Sequence, residues 1–117
     1  MAVSVLIVDD HAGFRSFAAA LLREEGFDVV GEAVDGAMAI EATLRLRPDV
    51  VLLDVQLCDT DGFSLAERLA EAPEPPKVVF VSTRDASSYR RRLQSARARG
   101  FIAKADLTGP ALAALLT

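Results

Sequence analysis

Five short apolar runs punctuate this chain, and each is followed by a stretch in which apolar residues recur every three or four positions. Val3-Ser4-Val5-Leu6-Ile7-Val8 runs into Asp9-Asp10. Residues 28–34 carry Val29, Val30, Ala33 and Val34. Asp49-Val50-Val51-Leu52-Leu53 runs into Asp54, Val78-Val79-Phe80-Val81 into Ser82-Thr83, and Phe101-Ile102-Ala103 into Lys104. Runs of this length, rich in β-branched and branched residues, read as strands buried on both faces of a parallel sheet.

The intervening stretches read as helices. Phe14, Phe17, Ala18, Leu21 and Leu22 form a first stripe, stopped by Gly26. Phe14 and Phe17 are expected in the core. Asp35-Gly36 turns into a second helix marked by Ala37, Ile40 and Leu44, which ends before Pro48. Gly62 opens a third, with Leu65, Ala66 and Leu69 inward and Pro73, Pro75 and Pro76 beyond it. A fourth carries Tyr89, Leu93 and Ala96 on one side, and Tyr89 is left open between packing and partner contact. Thr108 reads as the cap of a fifth, with Gly109-Pro110 in its first turn and Leu112, Leu115 and Leu116 inward. Five β-α units predict an α/β fold. It is a single doubly wound, five-stranded parallel sheet with helices on both faces and right-handed crossovers. One domain, residues 1–117, accounts for the whole pattern.

In such a sheet, Asp9, Asp10, Asp54, Ser82 and Lys104 gather at the carboxyl edge, where open α/β folds bind ligands. Carboxylates meeting there repel unless a hard cation or a lysine offsets them. Oxygen ligands suit Mg²⁺ or Mn²⁺, and with no His or Cys cluster nearby a zinc site is not expected. His11 is taken as an exposed helix-start residue. Asp9-Asp10 alone would read as a turn or helix cap. The acids and lysine on other strand ends shift that reading toward a metal and phosphoryl site. A carboxylate can attack a phosphoryl group directly, and Asp54, on the third run, which is expected to be central in the doubly wound pattern, is the candidate nucleophile. Lys104 offers a point charge for a phosphoryl oxygen, or a resting ion pair to Asp54 or Asp9, and Ser82 or Thr83 offers a hydroxyl.

The charge is uneven. Residues 1–76 hold 15 acidic and 5 basic side chains, and residues 77–117 hold 2 and 8. A net charge of −4 argues against nonspecific nucleic-acid binding by this domain. The arginines at 90–92, 97 and 99 read as a solvated helix face or as a docking face for an acidic partner. Cys58 is the only cysteine, so an internal disulfide is excluded, and it is taken as inert. No apolar run approaches the ~20 residues needed to span a bilayer, and the first strand begins almost at the first residue. The expectation is a soluble, cytoplasmic protein without membrane contact.

These residues together resemble the receiver domain of bacterial two-component response regulators, most of all the branch with a LuxR-type helix-turn-helix output. The resemblance rests on Val8-Asp9-Asp10-His11 with Arg15, Val30-Gly31-Glu32-Ala33, Asp35-Gly36, Arg47-Pro48-Asp49 through Asp54, Asp61-Gly62, Ser82, Gly100-Phe101-Ile102 and Lys104. It implies a (βα)5 flavodoxin-like fold with strand order 2-1-3-4-5. It also implies Asp54 as phosphoacceptor, with Asp9, Asp10, Asp54 and the backbone carbonyl of Gln56 as Mg²⁺ ligands. Ser82 and Phe101 match the switch residues, and Gln56 and Arg84 match positions that tune phosphoryl lifetime. The implied partners are a histidine kinase as phosphodonor and a phosphorylation-dependent second copy, with transcription regulation through an output domain absent from this chain. The implied chemistry is confined to the domain's own phosphorylation and dephosphorylation, so no further enzyme activity is expected.

Four residues depart from the family pattern. Cys58 replaces a common proline, Thr83 a smaller residue and Ala105 another common proline. Arg97 replaces a helix-ending glycine, so a left-handed cap there would be strained. Two other readings remain open: a receiver-like scaffold that binds partners without phosphorylation, and a metal-dependent phosphatase working through an aspartyl phosphate. The phosphatase would want a second acid-base carboxylate near Asp54, where only Val55 and Gln56 follow.

Overall fold

The computed structural model describes residues 2–117. Strands β1 (Ser4–Val8), β2 (Asp28–Ala33), β3 (Val50–Asp54), β4 (Lys77–Ser82) and β5 (Gly100–Ala103) form one parallel sheet. Its order is β2-β1-β3-β4-β5. Helices α1 (Ala12–Glu24), α2 (Gly36–Leu46), α3 (Gly62–Leu69), α4 (Arg90–Ser95) and α5 (Gly109–Leu116) alternate with the strands. Because successive side chains on a strand point to opposite faces, each apolar run feeds two cores. Leu6, Val8, Val51, Leu53 and Phe80 pack with residues of α2, α3 and α4 on one face. Val5, Ile7, Val50, Leu52, Val79 and Val81 pack with α1 and α5 on the other.

Thr108 caps the fifth helix as expected, and Asp35 and Asp61 play the same part for α2 and α3. Asp35, Asp61 and Thr108 each accept a backbone N–H of the first turn of α2, α3 and α5. Gly26 adopts φ +95° just beyond α1. Gly62 is required by closeness: a Cβ there would lie 2.5 Å from the Asp54 carbonyl oxygen and 2.9 Å from Val55 Cα. The start of α3 therefore abuts the end of β3.

Three expectations are corrected. Phe17 is exposed, because α1 centres its buried face on Ala18 and Leu22. In α2 the buried positions are Gly36, Ala39, Ala42 and Thr43, whereas Ala37 and Leu44 are exposed and Ile40 only packs at the edge of the core. The fourth helix is a single short α segment preceded by a 3₁₀ turn at Ala86–Tyr89, and Ala96 is already extended. Arg97 consequently caps nothing in a left-handed conformation. Among the described residues, the positive-φ residue outside glycine is Arg47, at φ 48° after α2.

Candidate functional site

Parallel pairing brings the ends of β1, β3, β4 and β5 to one edge, and with them Asp9, Asp54, Ser82 and Lys104. Asp9, Asp54 and Ser82 are buried. The lysine ammonium lies 2.7 Å from Asp9 Oδ2 and 3.5 Å from Asp54 Oδ2. It also sits 4.6 Å from the centre of the Phe14 ring, so a helix residue expected to serve only the core also faces the charge. Asp54 Oδ1 accepts the Gln56 N–H at 3.2 Å. Arg15 donates to the Asp9 carbonyl at 2.6 Å and pairs with Glu32, which fixes the point where β1 ends.

Carboxyl oxygens of Asp9, Asp10 and Asp54 and a ring nitrogen of His11 all lie within 4.8 Å of one another. His11, set aside in the sequence, belongs to this group. Its backbone N–H donates to Asp9 Oδ1 at 2.8 Å, and its Nδ1 is 3.1 Å from that oxygen and 3.0 Å from Asp10 Oδ1. Burial, then the neighbouring Asp9 charge, raises the Asp54 pKa above the ordinary carboxylate value, while Lys104 and the Gln56 N–H oppose the rise. Asp9 Oδ2 is buried without a hydrogen-bond donor, its contact with Lys104 being one of charge and not of hydrogen-bond direction. A buried carboxylate oxygen neutralised by Lys104, beside two further acids, fits a hard divalent cation held by oxygens.

The loop after β3 is tied down despite Cys58. Gln56 pairs with Asp61 in an isolated antiparallel bridge, and Leu57 N–H donates to the Thr60 carbonyl at 3.1 Å. The Asp59 carboxylate accepts the Gly36 and Ala37 N–H groups at 2.8 and 3.1 Å, fastening the loop to the start of α2. Asp61 also receives Arg92, whose guanidinium stacks 4.3 Å from the Phe63 ring centre. The exposed Cys58 has no second thiol to pair with.

Ser82 is held from the loop that follows it. Its Oγ accepts the Arg84 N–H at 3.1 Å and shares a hydrogen bond with the Tyr89 hydroxyl at 3.2 Å. Tyr89 packs 5.9 Å from Phe63 and 6.1 Å from Phe101, centre to centre. The choice left open for Tyr89 is thus resolved in favour of an internal contact. No spacing rule in the sequence would have paired it with Ser82. Phe101 is half-buried, and Gln56, Thr83 and Arg84 are exposed. Among the described residues the Arg84 guanidinium has no ion-pair partner.

A surface groove of about 820 Å³ lies at the opposite edge, among Phe27, Pro48, Asp49, Pro110 and Leu116. None of the strand-end acids borders it, so concavity alone would misplace the site. Chemistry and geometry favour the carboxyl edge. Among the described residues no helix is long and apolar enough to cross a membrane.

Comparison with known proteins agrees with this architecture. A family described as the response regulator receiver domain matches residues 5–113. The transcriptional regulatory protein PdtaR of Mycobacterium tuberculosis is 39% identical over 99 residues, 85% of this chain and 46% of that protein. A protein-glutamate methylesterase/protein-glutamine glutaminase of Alkalilimnicola ehrlichii is 35% identical over 113 residues, 93% of this chain and 29% of that protein. The chain thus spans half or less of the length of these curated relatives. Among solved structures, the signal receiver domain of NarL from Mycobacterium tuberculosis superposes with TM-score 0.83 at 31% identity, covering 98% of this chain and 97% of that one. The signal receiver domain of a modulated diguanylate cyclase from Desulfovibrio desulfuricans G20 gives 0.84 at 28%, covering 99% and 91%. By the extent of the family match and the order of its strands, the chain belongs to the response regulator receiver domains.

Proposed function

We propose that residues 1–117 form one receiver domain working as a phosphoaspartate switch, with a histidine kinase as its phosphodonor. An Asp54 carboxylate oxygen forms the new P–O bond as the P–N bond of the donor phosphohistidine breaks. The electron pair stays on the donor imidazole, which takes up a proton, and Asp54 becomes an acyl phosphate. The observation that carries this reading is the Asp54 carboxylate itself. It is nearly buried at the end of an interior strand, one oxygen held by the Gln56 N–H and the other 3.5 Å from Lys104.

Lys104 leaves Asp9 to share its charge with the incoming phosphoryl oxygens, and Ser82 offers its hydroxyl to one of them. Asp9, Asp10, Asp54 and the Gln56 carbonyl would hold Mg²⁺ or Mn²⁺, which when bound supplies a hard positive charge against the carboxylates and the phosphoryl group. Phe101 turns inward as Ser82 moves, and the face around α4, β5 and α5 repacks, altering dimerisation or partner docking. Neither the Gln56 amide nor the Arg84 guanidinium offers a basic lone pair to activate water, so loss of the phosphoryl group is slow. The chain catalyses nothing beyond its own charging and discharge. Its output is regulation of transcription through a further domain, the function that the name of PdtaR carries.

Acetyl phosphate with Mg²⁺, followed by intact mass measurement and borohydride trapping, tests the acceptor. The expected result is a single adduct on Asp54, absent from Asp54→Asn. An adduct on Asp9 or Asp10 would reassign the site. No adduct at all, with partner binding intact, would favour the phosphorylation-independent scaffold. Sustained turnover of a small phosphate ester would favour the phosphatase.

A further inference from the structure

The geometry points to Tyr89 as a positioning residue for Ser82, holding its hydroxyl in the uncharged orientation. This rests on the phosphoaspartate reading above. Ser82 is the residue at the site edge whose polar atom is committed entirely to the segment that follows β4. The Arg84 N–H and the Tyr89 hydroxyl occupy it at 3.1 and 3.2 Å. A serine oxygen has two lone pairs and one proton. With two partners on that side, its direction is set, and turning toward a phosphoryl group on Asp54 means giving up Tyr89.

Tyr89 is itself constrained. It is half-buried at the end of the 3₁₀ turn and its ring sits between those of Phe63 and Phe101, at 5.9 and 6.1 Å. Phe63 is anchored in turn on Phe80, at 4.7 Å, and under Arg92, at 4.3 Å. The tyrosine ring is therefore placed by packing, and its hydroxyl is delivered to Ser82 by that placement. When Ser82 leaves, a half-buried hydroxyl loses its partner, which disfavours the old position of the ring. Phe101, in contact with that ring, is freed to move with it. Tyr89 thus joins the hydroxyl that senses the phosphoryl group to the aromatic residue that reports it.

The test is a double-mutant cycle on the 117-residue chain using Tyr89→Phe, Ser82→Ala and the pair. Tyr89→Phe keeps the ring and removes only the hydroxyl. The readouts are the rate of Asp54 labelling by acetyl phosphate and the affinity for beryllofluoride, both with Mg²⁺. Losing one resting-state hydrogen bond should raise both about fivefold. In the Ser82→Ala background the same substitution should change neither, because nothing is left to hold. Tyr89→Leu, which keeps apolar bulk without the hydroxyl, should also charge faster than wild type, separating the hydroxyl from ring packing. Unchanged or slower charging in Tyr89→Phe overturns the proposal, as does an equal gain in the Ser82→Ala background. A wild-type chain that takes neither label nor mimic overturns the switch reading itself and leaves Tyr89 a packing residue only.

Discussion

Replacing Asp54 with asparagine should make the metal-free protein more stable, although it removes the residue on which the proposed function depends. Asp54 lies within 4.8 Å of ligand atoms of Asp9 and Asp10. At an effective dielectric of ~20, like charges at that distance repel by about 3.5 kcal/mol. Asp9 is fully buried and counts in full, while Asp10, exposed to water, is screened to about 1 kcal/mol. Lys104, 3.5 Å away, returns about 4.7 kcal/mol. Repulsion and attraction nearly cancel, which leaves the cost of dehydrating a carboxylate only 5% exposed. Asparagine keeps the shape and an acceptor for the Gln56 N–H without that cost, and Lys104 keeps Asp9. A gain of about 1–3 kcal/mol follows, or roughly 4 °C of melting temperature per kcal/mol.

The sign with pH is set by the raised pKa of Asp54. Below the unfolded carboxyl pKa both states are protonated and wild type and variant agree. As pH rises through the raised folded value, ionisation is paid for only in the folded wild type, so the gap opens with pH and is full above that value. Urea unfolding in EDTA at several pH values measures it. Adding Mg²⁺ should stabilise wild type more than the variant and shrink the gap, since binding only to the folded state adds RT ln(1 + [L]/Kd). A variant equal to or less stable than wild type in EDTA at neutral pH would refute the reasoning.

Lys104→Ala should behave oppositely in EDTA, losing about 3 kcal/mol because buried Asp9 is left without its cation; an unchanged urea midpoint would show that water replaces the lysine. Gly62→Ala should cost several kcal/mol and slow Asp54 labelling, because the added carbon meets the Asp54–Val55 backbone; calorimetry and labelling rate check both. Asp10→Asn should weaken Mg²⁺ or Mn²⁺ binding at least several-fold by titration, and unchanged affinity would move the metal elsewhere. In acid, Asp59 should lose its grip on α2 only below the ordinary carboxyl range. Its pKa is lowered by the Gly36 and Ala37 N–H groups, so its contribution is whole above the unfolded value and fades as pH falls through the lower folded one, which amide exchange at Gly36 would follow.

The sheet and its site edge were legible because each strand is a compact apolar run ending in a polar residue of distinct chemistry. Asp9, Asp54, Ser82 and Lys104 could be placed together without knowing a single contact. What stayed hidden lay in small residues and in loops. The buried face of α2 is Gly36, Ala39, Ala42 and Thr43, because the helix lies close enough to the sheet for little side chain to intervene. A stripe drawn through Ala37, Ile40 and Leu44 weighs bulk and so points elsewhere. Phe17 misled for the same reason. The Ser82–Tyr89 and Asp59–α2 contacts depend on where irregular segments fold back, which periodicity does not encode. His11 is exposed at the start of α1 as expected, and its Nδ1 contacts with Asp9 and Asp10 depend on how the chain turns from β1 into α1.

The acids and the cation of the site do not share the same security. Asp9 and Asp54 end β1 and β3, both flanked by strands on each side, whereas Lys104 follows β5, a four-residue strand bonded only to β4. Edge strands open by local fluctuations well short of global unfolding. Each time β5 peels away, the lysine departs with it and the buried carboxylates face one another uncompensated, which pulls the strand back. The margin of the sheet is thus latched by the charge it carries. Anything that occupies the acids with another cation loosens that latch, so occupancy of the metal site should be felt as fraying at β5, separated from β1 by two strands.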